Sequence, residues 1–221
     1  MAKNRLPMCQ IYLITPAKIE PVAFRTILES VLDVESVGAV QLRLKDVDDD
    51  EIKRAVELLM PITAKYDVPF ILNDRPDLAA TTGCDGVHIG QHDSDYNTAR
   101  TTLGKDKVIG VTCHNSKHLA MVAGENGADY VAFGAFFHTT TKNTKFIAKP
   151  EIISWWTETM VTPVVAIGGI RIDNCPPIVQ AGSDFIAVIS GIWDHPLGAA
   201  KAVAQFNRVI AANSPVSHCL S

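Results

Sequence analysis

The sequence predicts an α/β fold, a single (β/α)8 TIM barrel, on three observations. Short apolar runs alternate with helix-like stretches through all 221 residues. Eight such runs occur, rich in Val and Ile and continuously apolar, as strands buried on both faces should be. The last two run into glycine-containing segments, Gly168-Gly169-Ile170 and Ser190-Gly191. In parallel barrels, backbone amides after strands seven and eight commonly form a phosphate cup. Strand–helix alternation makes right-handed parallel crossovers, and eight of them in one chain favour a closed barrel over an open sheet.

The strand runs are 11–14, 39–42, 70–72, 86–89, 108–111, 130–133, 164–167 and 185–189. Helical stretches lie between them, for example at 48–66, 116–126 and 172–180. Ser116 is placed to cap the second, and Asp173 falls in the first turn of the third. Gly127-Ala128-Asp129 and Gly182-Ser183-Asp184 read as helix C-caps turning into a strand. No linker or low-complexity tract divides the chain, so one domain is expected over 1–221, with the barrel at about 10–210 and a tail at about 211–221.

Composition narrows the function. The net charge is −4, without the basic footprint of a nucleic-acid binder or a lysine run for a membrane surface. No segment approaches the ~18 apolar residues of a membrane span. The N-terminal stretch is interrupted by polar residues and runs into Pro16 and Lys18, so it reads as a first strand and not a signal peptide. Five dispersed cysteines without a Cys-x-x-Cys suggest reduced thiols in a cytoplasmic protein. Cys113 lies beside candidate site residues, but nothing local marks it as a nucleophile. Small-molecule partners are expected, with no nucleic acid and no membrane; a homo-oligomer is left open.

In such barrels the chemistry sits at the C-terminal ends of the strands. After strand two, alternation turns Gln41, Arg43 and Lys45 to one side, a grouping suited to an anion. Strand three ends in Asn73-Asp74 and strand four in Gly90-Gln91-His92-Asp93. Asp74 and Asp93 could hold a magnesium ion shared with substrate phosphates, or they could cap the following helices. Strand five ends in Thr112-Cys113-His114. Strand six leads into a long loop carrying His138, Thr139, Thr140, Thr141 and Lys142, which suits a phosphate-binding lid. The His88/His92 and His114/His118 spacings lack a third ligand for zinc. Trp155 and Trp156 read as packing residues.

These motifs occur together and in order: Gln41-Leu42-Arg43-x-Lys45, Asn73-Asp74-Arg75, Asp85-Gly86-Val87-His88-Ile89-Gly90-Gln91, Gly110-Val111-Thr112-x-His114, Thr139-x-Thr141-Lys142, Ala166-Ile167-Gly168-Gly169-Ile170 and Val188-Ile189-Ser190. With them, the chain resembles the thiamine-phosphate synthase family from Ile11 to about Phe206. That family is a transferase of thiamine biosynthesis. It joins hydroxymethylpyrimidine diphosphate to hydroxyethylthiazole phosphate, releasing pyrophosphate and forming thiamine phosphate. The resemblance implies that Gln41, Leu42, Arg43, Leu44, Lys45, Asn73, Thr112 and Lys142 hold the pyrimidine diphosphate. It implies that Thr139, Thr140, Thr141, Gly169, Ile189 and Ser190 hold the thiazole phosphate, and that Asp74 and Asp93 bind Mg2+. Arg43, Lys45 and Lys142 would then offset the charge of the departing pyrophosphate.

Three positions depart from the family pattern: Leu44 where Glu is usual, Thr112 where Ser is usual, and His138 where Pro is usual. Two other readings remain. A thiazole tautomerase of the same fold would need only the thiazole site and an acid/base residue, for which His114 is the candidate. A non-catalytic barrel that senses a phosphorylated metabolite would need no magnesium carboxylates.

Overall fold

The computed structural model describes residues 8–139 and 146–215. Eight strands close into a parallel barrel: β1 (Gln10–Ile14), β2 (Ala39–Leu42), β3 (Phe70–Asn73), β4 (Gly86–Ile89), β5 (Val108–His114), β6 (Tyr130–Gly134), β7 (Val164–Ile167) and β8 (Phe185–Val188), with β8 pairing back onto β1. The connecting helices are α1 (Pro21–Leu32), α2 (Asp49–Lys65), α3 (Pro76–Thr82), α4 (Tyr96–Leu103), α5 (Lys117–Glu125), α6 (Glu151–Thr159) and α7 (Pro176–Gln180), followed by α8 (Ser190–Trp193) and α9 (Ala199–Asn213).

Strand alternation sorts side chains into two cores. Outward-facing residues such as Leu13, Leu42, Ile109 and Phe133 pack beneath the helices, with Trp156 of α6 fully buried among them and Trp155 partly buried. Inward-facing residues form a separate cluster that includes Tyr12, Ile14, Ile71, Tyr130, Ala132 and Val165. Two tyrosines fill the barrel floor, and alanines at 39, 132 and 187 leave them room. Packing of this kind makes the interior a filled core and not a pore.

The Gly-x-Asp signals have a defined role. Gly127 and Gly182 adopt left-handed φ of 93° and 89° just after their helices. The aspartate then turns back: Asp129 accepts the Ile109 N–H and Asp184 the Val164 N–H, both at 2.8 Å. Asp85, after Gly83, accepts the Phe70 N–H in the same way. Each carboxylate holds the start of the preceding strand at the end of the barrel away from the site. Ser116 caps α5 through the Leu119 N–H, as expected.

Several expected boundaries shift, most of them by one residue, and β5 runs on to His114, three residues past Val111. The third helical stretch begins at Pro176 and not at residue 172, so Asp173 precedes the helix. Prolines supply no N–H and suit the first turn of a helix. Asn174 instead organises the preceding turn, accepting from the Arg171 N–H and donating to the Gly169 carbonyl. The last strand ends at Val188, because Ile189 turns to φ −115°, ψ −90° ahead of α8. No helix of the described residues is long and apolar enough to cross a membrane.

Candidate active site

The C-terminal ends of the strands enclose a cleft of about 550 Å³. A larger groove of about 740 Å³ runs outside the barrel between α1 and α9, and no residue singled out by motif lines it. Charged and hydroxyl side chains converge in the smaller cleft, which makes it the candidate active site.

On one side, Gln41, Arg43, Lys45, Asn73, Asp74 and Asp93 line the cleft. Gln41 is buried and donates to the Asn73 side-chain carbonyl at 2.8 Å, which orients both amides. The hydroxyl of Thr15, fully buried at the end of β1, accepts the Arg43 backbone N–H at 2.9 Å. That contact fixes where the arginine leaves the strand. Its Nη1 is buried and has no hydrogen-bond partner among the described residues. Burial lowers the Arg43 pKa and the charge of Asp74 opposes that shift. An orphaned guanidinium nitrogen beside a cleft implies an anionic partner, since a buried donor left unpaired costs about 1–3 kcal/mol or more.

Lys45 forms an ion pair with Asp74. Asp74 holds a left-handed φ of 65°, which turns its side chain back over the barrel mouth. Burial works against its charge, but the contacts with Lys45 and Asp93 outweigh burial and hold it below the usual carboxylate range. Asp93 moves the other way, raised by burial and by the adjacent Asp74. It accepts the Gly90 N–H at 2.9 Å. Neither carboxylate caps a helix: Arg75 takes the cap position of α3 without a side-chain bond, and Asp95 caps α4. Two neighbouring carboxylates with waters and phosphate oxygens suffice for magnesium, which takes few protein ligands.

On the opposite side lie Thr139, Gly168, Gly169, Ile189 and Ser190. A Cβ at Gly169 would meet the backbone carbonyls of Phe137 and His138, so only glycine lets the chain leave β7 beneath the loop that follows β6. The start of α8 carries no side-chain cap. Trp193, at the end of α8, donates its indole N–H to the Ile14 carbonyl at 2.7 Å, anchoring the turn to β1. Uncapped amides at a helix start are ready donors to an anion.

The side chains of Leu42 and Leu44 do not line the cleft: Leu42 is fully buried beneath the helices and Leu44 packs against the same core. The pleat that brings residues 41, 43 and 45 inward sends 42 and 44 outward. This also explains why Leu can stand at 44. The His138 side chain is exposed and does not line the cleft. Cys113 is fully buried in the outer core, and burial pushes its thiol up to about 12. Thr140, Thr141 and Lys142 lie outside the described residues.

Sequence reading missed a buried polar row. The Tyr12 and Tyr130 hydroxyls are 2.9 Å apart, Tyr130 lies 2.9 Å from His88 Nδ1, and His88 Nε2 lies 2.8 Å from the Thr112 hydroxyl. All four residues line the cleft floor or wall. The available signal was Gly110 inside an apolar strand, since such a glycine often marks a close approach. His114, also at the cleft, holds a φ of 52° and packs against the Phe146 ring.

Comparison with known proteins agrees with this geometry. The family model described as Thiamine monophosphate synthase matches residues 11–192. A thiamine-phosphate synthase of Rhodospirillum centenum is 60% identical over 202 residues, covering 91% of this chain and 98% of the relative. One from Hyphomonas neptunium is 47% identical, covering 91% and 93%. The solved thiamine phosphate pyrophosphorylase of Pyrococcus furiosus superposes with a TM-score of 0.79 at 30% identity, covering 92% of this chain and 96% of that one. The chain belongs to the thiamine monophosphate synthase family.

Proposed function

We propose that the cleft joins hydroxymethylpyrimidine diphosphate to hydroxyethylthiazole phosphate, releasing pyrophosphate and leaving thiamine phosphate. Family membership supplies the activity, a transferase of thiamine biosynthesis. The placement of the substrates is our own reading. The observation that carries it is the buried Nη1 of Arg43, unpartnered among the described residues, next to the Lys45–Asp74 pair. That corner of the cleft calls for an oligoanion. The uncapped turn at Ser190 with Gly169, across the cleft, suits a second and smaller one.

In this reading the diphosphate lies along Arg43 and Lys45, with Lys142 contributing from the connection between β6 and α6. Asp74 and Asp93 would hold magnesium, which, when bound, adds positive charge beside the leaving pyrophosphate. The pyrimidine rests toward Gln41, Asn73 and Thr112. Arg43 and Lys45 oppose the charge that grows on the pyrophosphate as its carbon–oxygen bond breaks. The electron deficiency left on the pyrimidine methylene is shared with the ring amino group. Thr139, Thr140, Thr141, Gly169, Ile189 and Ser190 fix the thiazole phosphate, so the thiazole nitrogen attacks that methylene from a set position. No protein nucleophile is needed, and Cys113 is buried away from the reaction.

The test is thiamine phosphate formation from both substrates with and without magnesium, beside an Asp93→Ala variant. Magnesium-dependent product that the variant loses supports the reading. Binding or tautomerisation of a thiazole phosphate without condensation would overturn it and favour a tautomerase acting through His114.

A further inference from the structure

The hydroxyl–imidazole row beneath the cleft has a direction, and its closed end sets that direction. Tyr12 is 3% exposed, and among the described residues its hydroxyl has one hydrogen-bond partner, Tyr130. A buried O–H that fails to donate bears the full cost of desolvation, whereas an unfilled lone pair costs less. Tyr12 therefore donates to Tyr130. Tyr130 is also buried and has one proton of its own, and its remaining partner is His88 Nδ1, so it donates there. Burial holds both phenols protonated, pushing their pKa values above the usual range. An imidazole that accepts at Nδ1 carries its proton on Nε2. That proton goes to the Thr112 oxygen at 2.8 Å. The Thr112 hydroxyl then has its own hydrogen left for the cleft. The opposite tautomer would turn that hydrogen toward His88 and present only lone pairs.

Register builds this row into the barrel. Asn73 pairs with His88, His88 with Gly110, and Gly110 with Tyr130. A Cβ on Gly110 would fall inside the Tyr130 ring, so the glycine is what lets that ring cross β5 to reach His88. The two rings lie 18° from parallel, with centroids 5.6 Å apart.

We propose that Tyr12, Tyr130 and His88 are positioning residues that hold the Thr112 hydroxyl as a hydrogen-bond donor, so that this wall of the cleft selects an unprotonated ring nitrogen of the heteroaromatic substrate. The selectivity rests on the placement of the pyrimidine given above; the direction of the row does not. A pyrimidine bearing an amino group offers both kinds of partner, ring nitrogens that accept and an amino group that donates. A donor at Thr112 reads the nitrogen. The bond is made on binding and is kept as the pyrophosphate departs, so its contribution falls on substrate binding and not on the chemical step.

The experiment pairs ring-nitrogen NMR of His88, assigned with a His88→Gln variant, with kinetics on the full chain. The spectrum is expected to show Nε2 protonated and Nδ1 bare, and a proton on Nδ1 overturns the proposal. Thr112→Ser is expected to keep the KM for the pyrimidine diphosphate. Thr112→Val is expected to raise it about tenfold with kcat little changed, the scale of one hydrogen bond. Two substrate analogues, each with one ring nitrogen replaced by C–H, complete the test. Wild type is expected to reject one of them about tenfold and Thr112→Val to treat it like the parent. Tyr130→Phe is expected to mix the His88 tautomers and shrink that rejection. Equal rejection by wild type and Thr112→Val overturns the selectivity. If wild type makes no thiamine phosphate, the proposed function fails, while the NMR result still decides the row.

Discussion

Gly110 and Tyr130 sit opposite each other on β5 and β6, and the missing side chain of one is the space that the ring of the other occupies. The pair joins the packing of the barrel floor to the chemistry above it. The Tyr130 hydroxyl contacts both Tyr12 and His88, and His88 contacts Thr112 at the cleft wall.

Replacing Gly110 with Ala is expected to destabilise the fold by about 1–3 kcal/mol, the usual cost of overpacking a core. Urea unfolding would measure this. The loss is expected to shrink in a Tyr130→Leu background, because the two changes share one space and will not add. Additive losses would show that the glycine serves some other purpose.

Lys45→Met is expected to lower kcat by about a hundredfold or more, the scale of removing one group that opposes developing charge in a transition state. It also leaves Asp74 without its cation. The KM for the thiazole phosphate should stay near the wild-type value, since Lys45 lies on the other side of the cleft from Ser190. Steady-state kinetics with each substrate varied in turn would separate the two effects.

Arg75 follows the two site residues Asn73 and Asp74, but its guanidinium points outward. It bridges Asp49 at the start of α2 and Asp77 in α3. Arg75→Ala is expected to leave kcat and KM near wild type and to lower thermal stability slightly, as exposed ion pairs contribute little. A large loss of activity would place this arginine in the reaction.

The thiols offer a test of burial. Cys9, Cys84, Cys113 and Cys175 are all buried, and desolvation raises each pKa, to about 12 for Cys113 and about 11 for Cys175. The thiolate is the reactive form, so a raised pKa keeps these groups protonated and inert at neutral and mildly alkaline pH. An aromatic disulfide reagent at pH 8 is expected to modify these four only as the protein unfolds. Rapid modification of Cys113 in the folded chain, detected by peptide mapping, would contradict its placement.

Much of this molecule follows from local patterns. The apolar runs become β1 to β8 within a few residues, because strands buried on both faces must be apolar throughout. The alternation at 41, 43 and 45 places three polar side chains on one wall, and the same alternation removes Leu42 and Leu44 from it. Double glycine after β7 and the short turn at Ser190 were legible because close backbone approach needs specific residue types.

What the sequence could not supply depends on neighbours distant along the chain. Asp74 and Asp93 could be read as helix caps until the folded chain set them side by side with Lys45. Tyr12 and Tyr130 are 118 residues apart and look like ordinary core aromatics, yet barrel closure brings their hydroxyls within 2.9 Å. The orphaned nitrogen of Arg43 is likewise a property of its surroundings. Periodicity and turn chemistry are encoded within a few residues, so the sequence alone determined the barrel and the ends of its strands. Hydrogen-bond partners and desolvation depend on the closed barrel, so only the tertiary structure decided which polar groups there are paired, charged or waiting for a ligand.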